Sequence, residues 1–466
     1  MKKLILICDV LFIVVLLYSI AFGSPFCSPD TYSTTYYEVW SMCGADFNGD
    51  TYMDIALYNT TYAPAGTLGA VTIHLNDDPL GTFSQDESTY HVPPSRYTNS
   101  IEAGDLDGDD AIDLAVACDS FIVIFWGVGN GRFDSTHYHQ LEIGFKRLHL
   151  SDLNDDGWLD IAVSNKETGR ITVWINDTLS RGFADSTTYE VGGDPAKVIA
   201  PDLDTDGDLD LVVGNWASTD SLPILWNNGE GEFDSVTYLD LPDGLIGGNP
   251  TELTALDVDG LNGPDLTIAN SAATGGHVAV MTNDGDGTFT LNDYYEVPKE
   301  ITSIIAKTLR DPGNENDEEE DLIIGNYDND YFHILWSQDD SSFEIEKVLD
   351  YNPVGCYCFF AGDLNGDGEN DLAGGTPVDD PPDVDLLIYL SCKGVGIRGD
   401  VNCDDEVTMA DVVYLQNYLF HQGDPPCEED VGDVNCSGET DASDLVYLFN
   451  YVMGTFRPPC CKPCDG

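Results

Sequence analysis

DLDGDDAIDLAV (residues 105–116), DLNDDGWLDIAV (152–163) and DLDTDGDLDLVV (202–213) are copies of one device, an acidic loop running into a short apolar strand. Asp105, Asp107, Asp109 and Asp113 stand at loop positions one, three, five and nine. Asp152, Asn154, Asp156 and Asp160 repeat the spacing, as do Asp202, Asp204, Asp206 and Asp210. Two further intact copies lie at Asp46, Asn48, Asp50 and Asp54 and at Asp363, Asn365, Asp367 and Asp371. Asp257, Asp259 and Asp265 remain in a copy with Leu261 at position five, and the copy ending at Asp321 is overwritten by GNENDEEE. The seven copies recur at intervals of roughly 47 to 59 residues, a period that belongs to propellers and solenoids.

The spacing carries a chemistry. Side chains at positions one, three, five and nine, with the backbone carbonyl of position seven, can surround one hard cation with oxygen alone. That set suits Ca²⁺, which accepts six to eight oxygens in flexible geometry, better than Mg²⁺ with its strict octahedron. Asp, Asn and Gly also make good turns between strands, which is the plain alternative for any single loop. The shared register of several loops favours calcium, with five sites expected in the intact copies.

Two more features repeat between the loops. Strands ending IVIFW, ITVWI, PILWN, VAVMT and FHILW place Trp126, Trp174, Trp226, Met281 and Trp336 at points read as equivalent, with VTIHL and LLIYL in the first and last copies. A turn rich in Asn, Asp and Gly follows, then a Phe-to-Tyr strand: Phe83 to Tyr90, Phe133 to Tyr138, Phe183 to Tyr189, Phe233 to Tyr238 and Phe289 to Tyr295, with a weaker copy from Phe343. The last loop lacks this strand. Its partner is found at the N-terminus, in FCSPDTYSTTYYEV (26–39), so the start of the chain is expected to complete the seventh unit and close a ring without a free sheet edge. Each unit is then about 53 residues, enough for a four-stranded blade. The expected architecture is an all-β seven-bladed propeller over 24–395.

These residues together resemble the FG-GAP or VCBS repeat propellers, similar to the head of integrin α subunits. The D-x-D-x-D-G-x-x-D-[LI] loop and the NNGEGEF and NDGDGTF turns carry the likeness. The resemblance implies that the loops bind calcium within the blades as scaffolding, and that ligands use the faces of the disc.

From Gly399 the pattern becomes helical. GDVNCDDEVTMAD precedes VVYLQNYLF, and GDVNCSGETDASD precedes LVYLFNYVM, with apolar residues at helical spacing. In the first loop Asp400, Asn402, Asp404, Thr408 and Asp411 occupy positions one, three, five, nine and twelve, with Glu406 offering its carbonyl at seven. In the second, Asp433, Asn435, Ser437, Asp441 and Asp444 do so, with Glu439 at seven. This is EF-hand ligand spacing with Asp at twelve and no entering helix. The module, placed at 396–456 and followed by a Cys/Pro-rich tail at 457–466, resembles a type I dockerin, which implies calcium binding and a cohesin domain of a scaffolding protein as partner. By that resemblance the recognition positions are Met409-Ala410 and Ala442-Ser443. Asp405 replaces the usual Gly at position six of the first loop. The RGD at 398–400 is set aside as an adhesion motif, since Asp400 is already the first calcium ligand.

Charge and compartment agree with these expectations. The formal charge is −66, with 84 acidic and 18 basic residues. Seven calcium ions would offset only about +14 of it, and the remaining field repels phosphate backbones and anionic membranes. MKK, an apolar run from Leu4 to Phe22 and Ala21-Phe22-Gly23 read as a secretory signal over 1–23, with an uncleaved anchor as the alternative. No second stretch is long and apolar enough to span a bilayer. Removing Cys8 leaves twelve cysteines, an even number that suits disulfides in a secreted, extracellular or cell-surface protein. Cys27 with Cys392 is one pairing that would lock the ring. Zinc is the competing use of Cys460, Cys461 and Cys464, which lack a second ligand pair.

No catalytic motif stands out. The chain lacks a G-x-S-x-G elbow, an H-E-x-x-H helix and a phosphate-binding glycine loop, and His137 and His139 have no recognisable third ligand. The expected function is a secreted, calcium-binding, non-catalytic binding or adhesion protein attached through its dockerin. The alternative is an extracellular polysaccharide lyase or glycoside hydrolase of a dockerin-organised system. A purely structural matrix role would use the same calcium sites. Trp40, Trp158 and Trp216, outside the repeated strand position, are candidate sugar platforms or simple turn cover.

Overall fold

The computed structural model describes residues 30–390 apart from connecting stretches, among them 93–99, 242–248, 311–318, 351–357 and 376–385, and a C-terminal set at 409–421, 442, 445, 446, 448 and 449. Seven antiparallel four-stranded sheets form the blades of a propeller. Blade 1 is ordered Glu38–Ala45, Asp54–Ala63, Gly66–His74 and Ser88–Val92 from the axis outward. In blades 1 to 5 and blade 7 the acidic loop joins the inner strand to the second strand. Second strands such as Asp113–Ala117 and Asp160–Asn165 are buried along their whole length. Both of their faces are covered by neighbouring blades, so apolar runs replace alternation.

The ring closes at the N-terminus. Asp30–Tyr32 pairs antiparallel with Leu386–Tyr389 as the outer strand of blade 7, with Asp30 opposite Ile388 and Tyr32 opposite Leu386. Residues from Glu38 onward belong instead to the inner strand of blade 1.

Each seam between blades holds its own apolar cluster. In the seam of blades 2 and 3, Ala115, Ile124 and Trp126 meet Leu148, Ile161 and Trp174. The strand register corrects the expected equivalence of the tryptophans. Trp174 lies opposite Ile161 and Met281 opposite Leu266, matching Phe125 opposite Leu114 and His74 opposite Ile55. Trp126, Trp226 and Trp336 each stand one residue further along, and a shift of one residue reverses the face. Trp126 therefore looks forward into the same seam into which Trp174 looks back.

The Phe-to-Tyr strands show a similar correction. Tyr32, Tyr90, Tyr189 and Tyr295 each accept a hydrogen bond at the hydroxyl from the backbone N–H of Phe83, Phe133, Phe233 and Phe343 in the next blade, at 2.8–3.2 Å. Their rings meet edge to face at 5.4–6.1 Å. Tyr138 and Tyr238 do not share this role. They are exposed on the opposite face, and His139 and Leu239 take the seam position, opposite Ile122 and Leu222.

His74 is the polar exception in the seam that closes the ring. Its imidazole is 2% exposed and neither nitrogen meets a hydrogen-bonding group among the described residues. Burial alone pulls its pKa from 6.5 to about 4. A base held below its unfolded pKa gives full stability above pH 6.5, and that stability is lost as pH falls toward 4. The shift corresponds to at most roughly 3 kcal/mol. His74→Phe, with the residue that blade 2 uses at this position, is expected to raise the melting temperature at pH 5 and flatten its dependence between pH 4 and 6.5. An unchanged pH profile would contradict this account of the seam.

Cys43 and Cys358 are free thiols on inner strands. Desolvation raises both, Cys358 up to about 12, which marks packing rather than reactive thiols. Cys27 and Cys392 lie outside the described residues. In the C-terminal module one helix spans Met409–His421, with Val412 and Leu415 buried.

Candidate metal centres and their hydrogen-bond frame

The acidic loops are built around the first aspartate. The Asp105 Oδ1 accepts the N–H of Gly108 at 2.7 Å and its Oδ2 that of Asp110 at 3.0 Å. Asp363 takes the N–H groups of Gly366 and Gly368 in the same way, at 2.7 and 2.9 Å. Folding the chain so tightly requires positive φ at positions four and six. Gly49 and Thr51, Gly108 and Asp110, Asp155 and Gly157, Thr205 and Gly207, Gly260 and Asn262, and Gly366 and Gly368 all have it. Glycine thus sits at position four in some loops and six in others, a freedom the expected consensus, with its glycine at six, did not contain. Where an L-residue takes the second place it accepts strain of about 1–2 kcal/mol.

The loop brings its oxygens together. One carboxylate oxygen each of Asp105, Asp107 and Asp109 lie within 4.8 Å of one another, as do those of Asp202, Asp204 and Asp206. Asp257, Asp259 and Asp265 converge equally although Leu261 stands at position five and points to solvent. In the first and third loops an asparagine replaces the middle carboxylate, and the amides of Asn48 and Asn154 bond Asp50 and Asp156 at 2.9 and 3.1 Å. Three carboxylates this close repel one another unless a cation lies between them. An all-oxygen, trianionic set fits a hard divalent ion of the calcium type.

Position nine has a second task. In blade 1, Asp54 is fully buried, with Oδ2 accepting the N–H of Phe47 at 2.9 Å and Oδ1 that of Asn76 at 2.8 Å. Asp113, Asp160, Asp210 and Asp265 make the same two bonds, to the residue at loop position two and to the end of the third strand. Asp371 bonds Leu364. Asp321 keeps the pair through Leu309 and Ser337 although its loop has lost the acidic pattern. The aspartate is therefore a clip joining three backbone segments, and each oxygen still has a lone pair to offer a metal. Burial raises the pKa of Asp54, Asp113, Asp160 and Asp210 to about 7, against the lowering by two N–H donors. The neighbouring loop carboxylates push the same way, and a cation in the loop would oppose them.

A residue missed in the sequence completes the frame. Asn76, Asn176, Asn227 and Asn283, at the end of the third strand, donate through their amides to the carbonyls of Leu364, Leu106, Leu153 and Leu203 in the preceding blade, at 2.6–2.9 Å. Those leucines occupy loop position two, so clip and seam share one residue. Where Gly127 replaces the asparagine, the N–H of Gly131 reaches the Phe47 carbonyl at 2.8 Å instead. The signal was present as an Asn 16 to 22 residues after the ninth aspartate.

The three unassigned tryptophans separate. Trp40 donates to Thr60 at 2.9 Å, and the ring of Trp158 lies against Gly108 of the adjacent blade's loop. Trp216 carries the Lys166 ammonium 4.4 Å from its ring centroid. The Trp126 indole donates to Nδ1 of His137 at 3.0 Å, so that histidine serves packing. Asp367, Asp400, Asn402, Asp404, Glu406, Thr408, Asp433, Asn435, Ser437, Glu439, Asp441 and Asp444 lie outside the described residues, and only the backbone of Asp411 is described.

Comparison with known proteins follows the same division. An FG-GAP-like repeat model matches residues 46–116, 152–213 and 202–260. A dockerin type I domain model matches residues 398–453. No curated protein matches at a significant level. Among solved structures, BBS1N in complex with ARL6DN, soaked with mercury, is similar with a TM-score of 0.53 and 14% identity, over 79% of this chain and 98% of that one. The lead-soaked crystal of the same complex gives 0.50 and 14% over the same shares. At such identity the likeness concerns the fold.

Proposed function

Because the chain is an FG-GAP repeat propeller with a C-terminal type I dockerin domain, we propose that it is an extracellular binding protein, a calcium-braced disc tethered through its dockerin to a cohesin-bearing scaffold. The observation that carries this reading is the dockerin match over residues 398–453, since type I dockerins bind calcium and attach to cohesins. No helix among the described residues is long and apolar enough to cross a membrane. The acidic loops support a scaffolding role, because their ninth aspartates are spent on backbone N–H groups in blade after blade. A catalytic carboxylate pair would instead be a departure from the repeat, with one member free to exchange a proton.

The test uses the full chain with immobilised cohesins of several specificities, in calcium and in chelator. Retention in calcium, release by chelator and loss of retention in the double variant Asp400→Ala, Asp433→Ala are expected. Failure to bind any cohesin would remove the tether. New reducing or unsaturated ends released from a polysaccharide panel would replace the binding protein by a carbohydrate-active enzyme.

A further inference from the structure

One position on the third strand is aliphatic or aromatic in six blades and basic in the seventh. Phe125, Trp174, Leu225, Met281, Leu335 and Tyr389 lie opposite Leu114, Ile161, Leu211, Leu266, Leu322 and Leu372. His74, opposite Ile55, is the exception. It falls at the seam of blades 7 and 1, where the two ends of the propeller meet, and Ile55 and Leu57 on its side of the sheet pack with Leu364, Ala373, Leu386 and Ile388 of blade 7. The outer strand that completes blade 7, Asp30–Tyr32, is three residues long, against five to nine in the other blades. A short backbone pairing thus holds the ring shut where an imidazole is buried.

No charged group stands ready to receive a proton from solvent on that imidazole's behalf. Neither nitrogen meets a hydrogen-bonding group or an ion pair among the described residues. On the second strand of blade 1, Asp54 alternates with Ile55 and so faces blade 2, with its oxygens on the N–H groups of Phe47 and Asn76. His91, on the outer strand opposite Ala70, is exposed. On blade 7, Asp371 shares the face of Ala373 but accepts the Leu364 N–H at Oδ2, and Cys358 stands at the far end of the inner strand, opposite Gly375. The Tyr32 hydroxyl accepts the Phe83 N–H, and Tyr389 faces blade 6.

The other blades are tied across the axis and through their seams. Glu102 of blade 2 accepts the Leu150 N–H of blade 3 at 2.9 Å, and Arg147 of blade 3 reaches Glu252 of blade 5 at 2.7 Å. Lys197 of blade 4 lies 3.9 Å from the same carboxylate and donates to the Ile304 carbonyl of blade 6 at 3.2 Å. Glu102 and Glu252 balance the two cations, so this network is neutral and spans blades 2 to 6. Blade 7 is held to blade 6 by Phe332, whose ring centroid lies 5.1 Å from that of Phe359 and 5.5 Å from that of Tyr389, and by the Asn370 amide on the Thr308 carbonyl at 2.8 Å. Protonating His74 acts on none of these.

We infer that the propeller is a latched ring with His74 as its trigger: acid opens it at the seam of blades 7 and 1, freeing Leu386–Tyr389 from Asp30–Tyr32, while blades 2 to 6 keep their packing. The device does not depend on what the disc binds or on the dockerin tether. Its sign follows from burial, which alone lowers the imidazole pKa from 6.5 to about 4 in the closed ring. Opening the seam returns the imidazole to water and to its ordinary value. Closure is therefore fully favoured above pH 6.5 and weakens as pH falls toward 4, so the population with this seam open rises roughly 20-fold between pH 7 and pH 5.

Hydrogen exchange of the full chain in excess calcium at pH 7 and pH 5, corrected for the direct effect of pH on amide exchange, tests this region by region. The amides of Leu386–Tyr389 should lose protection by roughly tenfold or more in acid, reversibly, while those of Asp160–Asn165 and Leu211–Asn215 keep theirs. His74→Phe and His74→Leu, which install residues that blades 2 and 4 use at this position, should each abolish the acid response at 386–389. Leucine is the smaller of the two and covers the case in which phenylalanine overfills the seam, and the regional pattern in the parent needs no variant. Protection at 386–389 that is unchanged at pH 5, a loss shared equally by every blade, or a loss at 386–389 that persists in both variants would overturn the inference.

Discussion

Asp321→Ala is expected to lower the unfolding free energy by about 2–6 kcal/mol, because it orphans two buried N–H groups that each cost about 1–3 kcal/mol when unpaired. Those donors are Leu309 and Ser337, at 3.0 and 2.9 Å. Asp321→Asn keeps one acceptor and should lose about half as much. The variant is informative because GNENDEEE has replaced the acidic loop that precedes this strand. Its calcium content should therefore stay that of the parent, which separates the clip from the metal. Urea melts that shifted by less than about 0.5 kcal/mol would show that the buried bonds are dispensable.

Chelation should act on the other half of the design. A loop filled at one hundred times its dissociation constant contributes about 2.7 kcal/mol. Stripping several loops also leaves carboxylates such as Asp202, Asp204 and Asp206 converging within 4.8 Å without a counter-charge. The propeller midpoint should fall by roughly 10 °C or more for a loss of several kcal/mol, and calcium should restore it. Magnesium should restore less, since its octahedron suits these loops poorly. A midpoint indifferent to excess chelator would end the metal assignment.

The contrast between these variants shows what the sequence could and could not disclose. The ring was legible because its parts repeat: seven loops, seven third strands and a missing outer strand that the N-terminus supplies. The convergence of the loop carboxylates was legible because position along a nine-residue turn fixes which oxygens face inward. The second role of the ninth aspartate was not, since Asp54 reaches Asn76 across 22 residues and a whole hairpin. The Trp and Tyr equivalences failed for a related reason. Aromatic residues stand out to the eye, but a strand repeats every two residues, and Trp126 and Trp174 or Tyr90 and Tyr138 differ by one step of register. Anchoring the alignment on the aspartate clip rather than on the aromatic would have placed His74, Phe125, Trp174 and Met281 together. The cluster of Arg147, Lys197 and Glu252 belongs to three blades and leaves no pattern along the chain.

The central claim is that the acidic loops are calcium clips of a scaffold. Native mass spectrometry of the full chain, stripped and then titrated with calcium, tests it by counting ions. At least seven should bind, five in the intact propeller loops and two in the dockerin. The triple variant Asp105→Ala, Asp107→Ala, Asp109→Ala should bind one fewer while keeping its fold. A parent chain that takes up only the two dockerin ions, or a triple variant with an undiminished count, would contradict the account.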